Sequence, residues 1–216
     1  MAFQNKKYVL KFTAKREKEK ENEGDVMKQK FTTKQITQTA LLLAICIASQ
    51  FLKNLSVYLT GPVVNAVLLI ALLTVGLVPA LIIAIITPVT AFFITGSPIM
   101  AAMPAMFPVI MLGNAILVLV TFVFSKKTEN RISLYIGMGL GSICKAAFMW
   151  IMTSFVVFPL FSNNLAGFLP KPEALPKVLA AAKLTFSVTQ LITALTGSIL
   201  AAIILVPLRK YMKNGD

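Results

Sequence analysis

Residues 61–95 read GPVVNAVLLIALLTVGLVPALIIAIITPVTAFFIT and are apolar at almost every position. As one helix, at 1.5 Å per residue, they would measure roughly 50 Å, well beyond a hydrocarbon core of about 30 Å. Gly76 and Pro79 supply a turn near the middle. The run therefore divides into two short membrane spans, about 62–77 and 78–95. One span or two decides on which side of the membrane every later segment lies, and the rest of the chain tests the choice.

Of the 216 residues, 57% are hydrophobic. Soluble domains carry roughly 45–50%, so the excess points to a polytopic membrane protein. Lys and Arg number 21 against 8 Asp and Glu, and ten of the basic residues precede residue 35. A basic excess gathered at one end suits membrane orientation better than nucleic-acid binding. Residues 1–31 are polar, with the run KREKEKENEGD from Lys15 to Asp25. No apolar core or small-residue cleavage site follows at the distance a secretory signal needs. This segment is expected to be a disordered or fraying cytoplasmic tail whose basic residues lie near anionic headgroups.

The first span covers about 35–52, and Lys53, Asn54 and Ser56 mark a short polar loop after it. Beyond the divided run, Gly96, Ser97 and Pro98 break the chain, and Pro104 and Pro108 punctuate the start of a fourth span that continues to Phe124. The loop 125–131 holds Lys126, Lys127 and Arg131. A fifth span runs over about 132–158. A polar connection, 159–177, carries Pro170, Pro172 and Pro176, and a sixth span covers about 178–208 before Arg209, Lys210 and Lys213. Four spans before residue 126 and two after it place the basic N-tail, the basic loop and the basic C-tail all in the cytoplasm, as the positive-inside rule requires. Taking 61–95 as one helix would put the loop outside. The expected fold is all-α: six transmembrane helices, both termini cytoplasmic, with a membrane domain over 32–210 between tails at 1–31 and 211–216. Such a chain belongs in a cell membrane.

The outer face then has three longer connections, 53–61, 95–104 and 159–178, enough chain to build a lid over a site. Lys145 is the only charge well inside a span, and an intramembrane charge is a functional candidate because its burial is costly. Counted from the outer helix ends, Asn114 and Gln190 come out roughly 15 Å deep and Lys145 roughly 20 Å. A cation and two amides on successive spans suit a pocket for a small polar or anionic ligand. Trp150 lies between Lys145 and the outer surface, where it could stack on a ring. Asn65 and Lys183, near outer helix ends, are further candidates. The same residues also admit a structural reading: amides as interhelical glue, a snorkelling lysine, an interfacial tryptophan. Cys46 and Cys144 fall in apolar runs and read as buried thiols. Histidine is absent, carboxylates are few, and neither a Walker A nor an H-E-x-x-H motif occurs. Ser142, three residues before Lys145, lacks the accompanying motif of a Ser–Lys hydrolase. No enzyme activity, metal or cofactor is implied, and nothing marks a proton or sodium path, so uptake would need a powered partner.

Residues 39–52, TALLLAICIASQFL, place Ala40, Ala44 and Ala48 at a strict four-residue spacing, one smooth ridge where another backbone can approach. With six spans in about 200 residues, cytoplasmic termini and an A-x-x-x-A motif (Ala40 to Ala44) in the first helix, the chain resembles the substrate-binding S components of energy-coupling factor (ECF) vitamin transporters over roughly 33–210. The resemblance implies that a vitamin or similar micronutrient is captured from outside by the outer loops and helices four to six. It further implies docking through the small-residue face of helix one onto a transmembrane T component driven by two cytoplasmic ATPases, and delivery by toppling of the whole S component. The competing readings are a self-contained small secondary transporter or channel, which should carry ionisable residues on several spans, and a structural membrane subunit, which needs no pocket.

Overall fold

The computed structural model describes residues 31–52, 56–127, 131–169 and 171–213. The expected N-terminal tail up to residue 30, the Lys53–Asn54 turn, the middle of the 125–131 loop, Pro170 and the last three residues lie outside them. The chain divides into two units, Met1–Ile36 and Thr37–Asp216. Of the first, residues 31–36 are described, and they begin helix α1 (Thr33–Gln50) with a capping box. Thr32 N donates to Gln35 Oε1 at 3.1 Å, and Gln35 N donates to Thr32 Oγ1 at 3.3 Å.

Every regular element among the described residues is a helix. After α1 come α2 (Val57–Thr74), α3 (Leu77–Thr95), the short α4 (Pro98–Ala102), α5 (Met106–Lys127) and α6 (Arg131–Ile151). A π-helical turn (Met152–Val157) joins α6 to α7 (Phe158–Phe168), and a 3-10 turn (Pro172–Ala174) leads into α8 (Leu175–Thr185) and then α9 (Val188–Lys213). Five stretches are long and apolar enough to cross a membrane: Val57–Thr74, Leu77–Thr95, Met106–Lys126, Ile132–Phe168 and Leu175–Leu205. The helix α1, 18 residues or about 27 Å, has the length of a span but a polar first half, and is not among these five. The polytopic all-α reading therefore stands, and so does the division of 61–95: Gly76 interrupts the run at φ 136°, a conformation only glycine adopts freely. At the other end of α3, Gly96 closes the helix in the left-handed region and donates its N–H to Phe92 O at 2.8 Å.

Three expectations are corrected. The first concerns α2, which starts at Val57 rather than Pro62, because the extended Ser56 caps it by accepting from Tyr58 N and Pro62 is taken up inside the helix. Second, the polar connection 159–177 is mostly helical. Phe158, Phe161 and Leu165, then Leu175, Val178, Leu179 and Ala182, recur at helical spacing and turn inward against a methionine-rich cluster. Pro159 has no N–H for the carbonyl four residues back, and the preceding turn widens so that Phe158 N–H reaches Thr153 O. Third, the sixth span is broken at Phe186–Ser187, where Phe186 leaves helical geometry at φ −92°, ψ 5°.

The core has three parts. Leu42, Leu43 and Cys46 of α1 meet Leu68, Ala71 and Leu72 of α2, Ala80, Ile83 and Ala84 of α3, and Val118 of α5. Ala66, Leu69 and Ile70 of α2 meet Leu117, Leu134, Met138, Ala201 and Leu205 on α5, α6 and α9. At the opposite end Met100, Met103, Met106 and Met149 gather α4, α7 and α8 over the bundle as a helical lid. The central helix is α2, with more than half of its length buried. It lies so close to α9 that a Cβ on Gly197 would come within 2.6 Å of Asn65 Cβ, and one on Gly61 within 2.7 Å of Thr193. Gly137 and Gly141 serve the α5–α6 seam in the same way. Cys46 is buried as expected, whereas Cys144 is exposed on the outer surface of α6, one of many apolar side chains there.

Candidate ligand-binding site

Beneath the lid lies a cavity of about 290 Å³. Its polar wall centres on Lys145, which α6 carries into the bundle about two turns below its end and which is 3% exposed. Lys145 Nζ donates to Asn65 Oδ1 at 2.6 Å and to Asn114 Oδ1 at 2.7 Å. Three helices, α2, α5 and α6, thus meet on one ammonium group.

The backbone fixes which way both amides point. Asn65 Nδ2 donates to Gly61 O one turn earlier on α2, at 2.9 Å, so the oxygen is left for the lysine. Asn114 Nδ2 donates to Ala84 O on α3 at 3.4 Å. That carbonyl is free because the residue four positions on is Pro88, which has no N–H to return to it. A proline inside one helix therefore supplies the acceptor that orients an amide on another.

Gln50, at the end of α1, is the second polar feature of the wall. It is 2% exposed, and its Nε2 donates to Thr87 O at 3.1 Å. Its Oε1 is buried without a hydrogen-bond partner among the described residues. Thr60, Thr87, Ser97, Thr185 and Gln190 also line the cavity, together with the apolar Ile99, Met100, Ile110 and Phe186.

Of the residues singled out from the sequence, Lys145, Asn65, Asn114 and Gln190 come together here. Gln190 does so from the first turn of α9, which starts at Val188 after the break at Phe186–Ser187. Trp150 does not line the cavity. It is 47% exposed and packs edge-on against Phe155 at 5.9 Å. Five residues past Lys145 is about 140° around a helix, so Trp150 points away, and Met149 occupies the face that Lys145 uses. Lys183 is exposed on α8 and is likewise outside the lining. Gln50 was legible in principle, since an amide within an apolar run is as unusual there as Gln190, but its place at the end of the span matches an ordinary helix terminus. Ala40, Ala44 and Ala48 are all exposed beside Leu41 and Ile45, while Leu42, Leu43, Cys46 and Gln50 face the bundle. Ser142 shares a hydrogen bond with Ser198 at 3.0 Å, on the α6–α9 seam.

Residues 34–209 match the protein family described as "ECF transporter, substrate-specific component". No curated protein and no solved structure matches the chain. That one match spans all the membrane-length helices and both walls of the cavity, and the chain belongs to the substrate-specific (S) components of ECF transporters, multi-pass membrane proteins that bind the substrate of a transporter.

Proposed function

We propose that this S component captures a vitamin-like micronutrient in the cavity under the helical lid and hands it to an ATP-driven partner. Lys145, Asn65, Asn114 and Gln190 are the ligand-facing residues of this reading. The observation that carries it is the lysine held at the cavity wall by two oriented amides. A structural lysine could snorkel to the surface, whereas this one is kept inside, next to open volume.

The partner of this reading is a transmembrane T component with two cytoplasmic ATPases, docked through Ala40, Ala44 and Ala48. Support comes from the exposure of all three among the described residues. In this reading the membrane domain covers 32–210 in a prokaryotic plasma membrane, and positive-inside charge supports cytoplasmic tails at 1–31 and 211–216 with the lid outside. Pull-down of the tagged full chain from native membranes, with mass spectrometry of proteins and small molecules, tests the reading. Recovery of a T component, two ATPases and a small molecule that is lost on Lys145→Ala is expected. A chain recovered alone and empty would overturn it.

A further inference from the structure

We infer that the ligand is a small carboxylate with a single negative charge, an apolar body and a hydrogen-bond donor for Gln50. This rests on the capture reading above and specifies the chemistry of that same site.

The charge follows from what the chain lacks. No Asp or Glu occurs between Asp25 and Glu129, between Glu129 and Glu173, or between Glu173 and Asp216. The spanning helices therefore carry no acid, and Lys145 meets only the neutral oxygens of Asn65 and Asn114. A buried lysine held by two neutral amides has no counter-charge among the described residues, and an anion bound beside it would supply one and favour its charged form. An ammonium has three N–H groups, and with two committed one remains for the incoming anion. Lys145 is the only Lys or Arg in the lining among the described residues. One cation suits one negative charge, and a di- or triphosphate would enter largely uncompensated.

The donor follows from Gln50. Its amide is oriented by Thr87 O, and its Oε1 is buried without a partner among the described residues, on a residue that lines the cavity. Buried acceptors are nearly always satisfied in folded proteins, so an N–H or O–H on the ligand completes this one. The remaining wall, with Val64, Ile99, Met100, Ile110 and Phe186, is apolar, and Phe186 is its sole aromatic residue. About 290 Å³ equals the liquid volume of about ten waters, room for one ring or a short branched chain.

The test is a thermal-shift and titration screen of the purified full chain in nanodiscs. The probes are small metabolites grouped as monocarboxylates, neutral amides and alcohols, amines, and phosphate monoesters. Stabilisation is expected to concentrate among monocarboxylates. The best of them should bind about 100-fold more tightly than its own primary amide, and Lys145→Met should remove that difference. Gln50→Leu should cost about tenfold for a donor-bearing carboxylate and little for the analogue without the donor. If Lys145→Met does not fold, the acid-against-amide comparison on the wild-type chain decides alone. Hits confined to neutral compounds, amines or phosphate esters would overturn the inference and leave capture intact. Silence across all four groups would overturn capture, and the inference with it.

Discussion

Lys145, Asn65 and Asn114 form a unit in which the three members are not equivalent. Removing Asn114 leaves a buried ammonium with one acceptor fewer, whereas removing the ammonium leaves two neutral amide oxygens, each still on a side chain anchored through its own N–H. The penalty for an unsatisfied buried charge exceeds that for an unsatisfied neutral group. Asn114→Leu should therefore destabilise the ligand-free protein by about 1–3 kcal/mol, and Lys145→Met by less. Unfolding in mixed micelles measures both. A larger loss for Lys145→Met would show that the lysine stabilises the bundle rather than being stabilised by it. Trp150 is instructive at this scale too: its place in the sequence suggests a stacking platform, but its angle around α6 carries it to the outer surface.

At the scale of elements, the site depends on irregularities in otherwise regular helices. Pro88 frees Ala84 O for Asn114, and the break at Phe186–Ser187 brings the start of α9, with Gln190, under the lid. Pro88→Ala would restore an N–H able to bond Ala84 O within α3 and so compete with Asn114. The expected result is unchanged or increased thermal stability together with a roughly tenfold weaker ligand, the cost of one misdirected hydrogen bond to a charged centre. Unchanged affinity would mean that Lys145 alone orients Asn114. The lid is itself built from elements with a sequence signature: the apolar spacing of Phe158, Phe161 and Leu165, and of Leu175, Val178, Leu179 and Ala182, is helical. Three prolines and a run of polar residues disguise it as loop.

At the scale of the whole molecule, the cavity and the alanine ridge lie apart. The lid and cavity occupy the end where α2, α5 and α9 begin, and the alanine ridge runs along the exposed flank of α1. Since Ala40, Ala44 and Ala48 are exposed among the described residues, a bulky residue on the ridge should be felt by a partner more than by the fold. Ala44→Leu is expected to abolish co-purification of the T component while ligand binding and melting temperature stay at wild-type values. Retained assembly would remove the ridge from the docking surface. A fall in melting temperature would return it to internal packing.

Sequence alone determined the polytopic all-α class, the turn at Gly76 and the prominence of Lys145. These depend on the local match between a segment and its solvent: apolar length against bilayer thickness, and one charge against a background without any. Only the tertiary structure decided that Asn65 and Asn114, and not Trp150, meet that lysine, and that Gln50 and Thr87 join them. Which side chains share a cavity depends on how each helix is rotated about its axis and where it bends. Those rotations are set jointly, by glycine seams such as Gly61 and Gly197, by Pro88, and by the packing of all the helices at once.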